Sequence, residues 1–97
     1  MAFKKLELPL ALGQKVTITV RGEVFTVFVR GWRQGQYVIL DLPRVGVEDF
    51  KIAPQIGIKV HFTKAGLFVS FKTTSILSFV QAISFLVIEY PRSFDSH

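Results

Sequence analysis

Few side chains in this sequence have the types and spacing that chemistry requires. There are two histidines, His61 and His97, and no cysteine. A metal site needs several ligands converging on one point, and a nucleophile needs a base beside it. His61 falls on the polar side of an alternating segment and His97 is the last residue. The pattern therefore points to a solvated His61. The carboxylates are Glu7, Glu23, Asp41, Glu48, Asp49, Glu89 and Asp95. Only Glu48 and Asp49 adjoin, in a stretch without periodicity. A catalytic pair needs two carboxyl groups held in different environments across a bond, and adjacency in a loop does not supply that. Asp41 shares an alternation class with Tyr37 and Ile39. It is either a charge on an open face or, if half-buried, a group needing an arginine or a backbone donor. No glycine-rich phosphate loop or nucleophile elbow is present. These residues point away from catalysis.

The segment Gly31-Trp32-Arg33-Gln34-Gly35 reads as a turn carrying an aromatic ring and a cation. An exposed Trp–Arg pair is the composition of an interaction hot spot, and such a ring can also stack a base. Alternatively, Trp32 folds back to cap one end of the fold. Trp32 and Arg33, with Arg92 further along, are the candidate interface residues.

The elements that must position them follow from composition and period. The 97 residues suit one domain, and 49% hydrophobic with 20% charged residues suits a folded one. Ten phenylalanines favour sheet. The absence of cysteine favours a reducing cytoplasm. A net charge of +5 attracts anionic partners, but the basic residues are scattered, with no run beyond Lys4-Lys5. The apolar start is broken by Glu7 and Pro9 and does not read as a signal peptide. Thr73 to Ile88 is uncharged, yet it is shorter than the roughly 20 residues of a spanning helix and carries serines and threonines. No membrane insertion is expected.

Period-2 alternation predicts strands over Lys15–Val20, Val24–Arg30, Gln36–Leu42, Ile58–Thr63 and from Leu67 past Lys72. Val24–Arg30 is apolar on both faces and predicts cover on both sides. Arg44 to Gln55 reads as a loop with one short strand near Phe50 to Ala53. Ser78, Gln81 and Ser84 are spaced by three, as in a helical turn. The preferred reading is a bend near Phe79 to Ile83, then a last strand over Phe85–Tyr90. The sum is an all-β, single antiparallel six-stranded split-barrel-like domain. It spans about residues 8–91 of a single 1–97 unit, with 92–97 as the start of a linker or tail.

The order of these segments resembles the N-terminal domain of YcgR-like flagellar brake proteins, the module preceding a PilZ domain. The resemblance rests on Gly13 before the first strand and on Gly31, Tyr37 and Pro43 around the third. It also rests on the Gly57-led strand, Phe71-Lys72-Thr73, and the closing Tyr90-Pro91. It covers about Leu8 to Phe94. It implies a non-catalytic interaction domain of a cyclic-di-GMP-responsive PilZ protein controlling flagellar motility. It further implies a cytoplasmic location with recruitment to the flagellar basal body.

The expected partners are the PilZ domain of the same protein, a flagellar motor or stator protein, and a second copy as a homodimer, with no nucleic acid. In that family the nucleotide is held by RxxxR in the linker and (D/N)xSxxG on the PilZ barrel. Here Ser96 stands where the second arginine would follow Arg92, and Asp95-Ser96-His97 is not the second motif. No cofactor is therefore expected in this chain, and cyclic di-GMP is expected only with the linker and PilZ domain beyond it. A small basic nucleic-acid-binding barrel of OB type is the alternative, and a flavin-binding split barrel a more distant one. Against the OB reading, most aromatic residues fall at core-facing positions.

Overall fold

Six antiparallel strands close on themselves in the computed structural model, which describes residues 7–97. They are β1 (Lys15–Val20), β2 (Glu23–Arg33), β3 (Tyr37–Asp41), β6 (Gly57–Lys64), β7 (Leu67–Val80) and β8 (Ser84–Glu89). Around the barrel their order is β1-β2-β3-β8-β7-β6, and β6 returns to β1 through Thr17 opposite His61. Three short strands are added: β4 (Arg44–Val45), β5 (Glu48–Asp49) and β9 (Asp95–Ser96). The Lys4-Lys5 pair lies outside the described residues.

The local chemistry explains the hairpins. β1 and β2 are joined by Arg21-Gly22, and β6 and β7 by Ala65-Gly66, all four with positive φ. This is the two-residue turn whose twist matches that of paired strands. β2 and β3 are joined by Gln34 to Gln36, with Gly35 at φ +77°.

β2 and β7 are longer than alternation suggests, because each serves two neighbours. β2 pairs with β1 from Glu23 to Phe28 and with β3 from Val29 to Arg33. β7 pairs with β6 from Leu67 to Thr74 and with β8 from Ser75 to Val80. A register shift marks each exchange, between Val29 and Gly31 and between Ser75 and Leu77. An extra residue in one strand bends it and adds twist, which turns one sheet into a barrel. The GWRQG stretch is accordingly not one turn: Gly31, Trp32 and Arg33 continue β2, and the turn begins at Gln34. The short strand expected near Phe50 falls earlier, as the β4–β5 hairpin.

The core is filled from alternate positions of every barrel strand. Ile18, Val29, Leu40, Leu86 and Ile88 are wholly enclosed. Burying such a side chain contributes about 1.5–3 kcal/mol. β2 is not covered on both sides, since Val24 and Phe28 are exposed, and Leu67 is exposed rather than inward. Phe68, on the opposite face from Val69 and Phe71, and Phe79 are also exposed.

The serines spaced by three do not make a helical turn. Ser75 Oγ donates to the Ala53 carbonyl at 2.6 Å and accepts the Ile56 N–H at 2.9 Å. Ser78 Oγ donates to the Ile52 carbonyl at 2.7 Å and accepts its N–H at 3.0 Å. The two hydroxyls fasten residues 52–56 along β7, as a neighbouring strand's backbone would.

Candidate interaction surface

The residues that follow β8 help to line a surface groove. After β8, Tyr90 and Pro91 turn inward and are buried. The Tyr90 hydroxyl accepts the Leu8 N–H at 2.7 Å, tying the two ends of the described chain together. The segment then crosses to β7, where β9 pairs through Val69–Ser96 and Ser70–Asp95. His97 and Phe68 exchange two backbone hydrogen bonds of 3.0 Å, and their rings stack 6.4 Å apart. The stretch expected to start a linker or tail thus carries a strand.

Between β8 and β9 the edge of β7 opens into a groove of about 690 Å³ lined by Lys59, Lys72, Glu89, Arg92 and Asp95 among others. Thr73 Oγ1 donates to the Glu89 carbonyl at 2.6 Å and Thr74 Oγ1 to its carboxylate at 3.1 Å. Glu89 is thereby engaged locally.

The structure separates the residues singled out above. Arg92 lines this groove, whereas Trp32 and Arg33 lie on β2 and are not part of its lining. Trp32 stands opposite Val38 on the inward side of the ladder, where the barrel opens, and is 37% exposed. Arg33 stands opposite Tyr37, which is itself opposite Glu89, so the three form one outward row.

Asp41 has the arginine its position called for. Arg30 Nε lies 2.6 Å and Nη2 3.2 Å from its two carboxylate oxygens. The hydrogen bond to Asp41, and then its charge, raise the Arg30 pKa further above its ordinary value. This pair, with Phe28 and Ile83, lines a second groove of about 570 Å³. Asp49 accepts the Ser84 hydroxyl at 2.8 Å and lies 3.9 Å from Arg44. Glu48 and Asp49 do not converge on a shared point, because β5 sends neighbouring side chains to opposite faces. His61 is a sheet-surface residue, its ring 5.5 Å from that of Phe68. Among the described residues no cluster of three potential metal ligands occurs, and no helix is long and apolar enough to cross a membrane.

The family model for flagellar protein YcgR matches residues 11–91. The chain belongs to the YcgR flagellar protein family. Among solved structures it is similar to the Bacillus subtilis inhibitor of motility MotI/DgrA, with a TM-score of 0.66 and 11% identity. That alignment covers 91% of this chain and 46% of the other, so the chain spans under half the length of that neighbour. Identity at that level shows a shared fold. No curated protein matches the chain. The YcgR match begins just before β1 and stops at Pro91, so it takes in the whole closed barrel and leaves β9 outside.

Proposed function

We propose that this barrel is a non-catalytic interaction domain of a cyclic-di-GMP-responsive PilZ protein that controls flagellar motility. The observation that carries the reading is the YcgR family match across the entire barrel. In this reading the nucleotide is held by residues beyond this chain, and the barrel acts in the cytoplasm by contact. Its partners are a PilZ domain of the same protein, a motor or stator component at the flagellar basal body, and a second copy. Ligand binding would change how the barrel is oriented and which surface it presents, a two-state rearrangement of a rigid unit. Trp32, Arg33 and Arg92 are the residues proposed to meet those partners. Calorimetric titration of cyclic di-GMP tests the division of labour. Binding is expected to a longer natural form that continues past His97 and not to these residues alone. Tight binding to the isolated barrel would overturn it.

A further inference from the structure

Because β2 and β7 each change neighbours half-way, each has two half-edges that no barrel strand pairs. The first half of β7 is covered by β9, where Phe68 exchanges backbone hydrogen bonds of 3.0 Å with His97. Its second half is met by the segment before β6. There the Gln55 N–H donates to the Ser75 carbonyl at 2.8 Å, and the Ser75 N–H to the Ile56 carbonyl at 2.9 Å. The second half of β2 is met by the segment before β1. The Gly13 N–H donates to the Val29 carbonyl and the Val29 N–H to the Gln14 carbonyl, both at 2.8 Å. Backbone of the chain itself thus meets three of these half-edges. Among the described residues none pairs with the fourth, the first half of β2 on the side away from β1.

The register shows which groups stand there. The two-residue turn closes on Val20 and Glu23, so residues 23, 25 and 27 bond to β1, and Val29 continues the series with Gln14. Val24 and Thr26 therefore direct their N–H and C=O groups to the unpaired side, before β3 takes it up from Val29. Such an edge is a template for another strand, and proteins ordinarily blunt it with charge or proline. From Val24 to Phe28 this edge has neither, and Val24 is 64% exposed. At Thr26 and Phe28 it borders the groove of about 570 Å³. The two arginines of that groove are paired with Asp41 and Asp49, so nothing there selects an anionic partner.

We propose that this edge pairs with the same edge of a second copy, antiparallel about a two-fold axis beside Phe25. Val24 of each copy then stands opposite Thr26 of the other, and every N–H and C=O that these two residues direct outward finds a partner. The side chains brought together are β-branched, the type that fits a sheet. Pairing one edge with itself stops at two copies, as a closed two-fold dimer. The inference rests on the interaction-domain reading above and gives its second copy a surface.

Sedimentation of the full chain is expected to show a monomer–dimer equilibrium. Thr26→Lys places a charge on the edge and should weaken it about tenfold, whereas Leu77→Lys, on the exposed apolar side of β7, should leave it unchanged. Cross-linking gives a reading that does not depend on a lysine in the strand. The chain has no cysteine, so introduced thiols report alone. In the proposed register residue 24 of one copy and residue 26 of the other have Cα atoms about 5.5 Å apart, within disulfide reach, while like residues lie beyond about 7 Å. An equal mixture of Val24→Cys and Thr26→Cys chains should therefore oxidise to the mixed dimer about tenfold faster than to either like dimer. Three results would overturn the proposal: a monomer at all concentrations up to about 1 mM, self-association that Leu77→Lys weakens at least as much as Thr26→Lys, or equal rates of like and mixed cross-linking. An edge reserved for an extended segment of another protein would give the first of these. None of the measurements involves cyclic di-GMP, so failure of the calorimetric test would leave this one standing, and the reverse.

Discussion

At the scale of single residues, two hydroxyls hold segments that the barrel ladder does not reach. Ser75 is 2% exposed and serves both a carbonyl and an N–H of the segment before β6. Ser75→Ala leaves both backbone groups short of a partner, and a loss of about 1–3 kcal/mol is expected in chemical denaturation. Tyr90→Phe removes the acceptor of the Leu8 N–H. It should cost a similar amount, about 1–3 kcal/mol, with faster hydrogen exchange at Leu8 as its specific signature. A loss of stability without faster exchange at Leu8 would mean that ring packing, not the hydrogen bond, holds that end. Neither role is visible in sequence. Tyr90-Pro91 reads as a strand end, and the serine spacing fits a helical turn as well as a clamp, because both depend on a backbone segment far along the chain.

At the scale of elements, alternation marks the barrel strands because each has one face in the core, as Val16, Ile18 and Val20 show in β1. It fails where a strand changes neighbours. Beyond Ser75 in β7 the inserted residue breaks the period, and in β2 Gly31 imitates a turn. β9 is set by an available edge of β7 and not by its own residues, so nothing in Asp95-Ser96 announces it. Lys59 and Lys72 are half legible: alternation makes each outward, and only the register of β6 with β7 sets them opposite each other. The turns offer a direct test. Ala65 adopts φ +51° ahead of Gly66, a left-handed conformation that costs a non-glycine residue about 1–2 kcal/mol. Asparagine tolerates it better. Ala65→Asn is expected to raise stability by up to about 1 kcal/mol, measured as a shift in the denaturation midpoint at constant slope.

At the scale of the whole molecule, closure depends on the pairing of β1 with β6, which joins Thr17 to His61 across three intervening hairpins. The β1–β2 and β6–β7 hairpins are local and close on two-residue turns. Bringing distant strands together must be achieved before their contacts reward it, so chains dominated by such pairings fold in milliseconds to seconds, more slowly than helical bundles. The closing seam should therefore set the tempo at which the chain acquires its shape. Ile18→Val and Val60→Ala, on either side of that seam, are expected mainly to slow refolding, while changes in the β4–β5 hairpin, which lies outside the barrel ladder, mainly speed unfolding. Stopped-flow measurements that found the opposite partition would place the seam late. During synthesis β1 leaves the ribosome well before β6. Until β6 arrives, the first hairpin keeps one edge unpaired, which gives a newly made chain a brief period of vulnerability that the finished barrel no longer has.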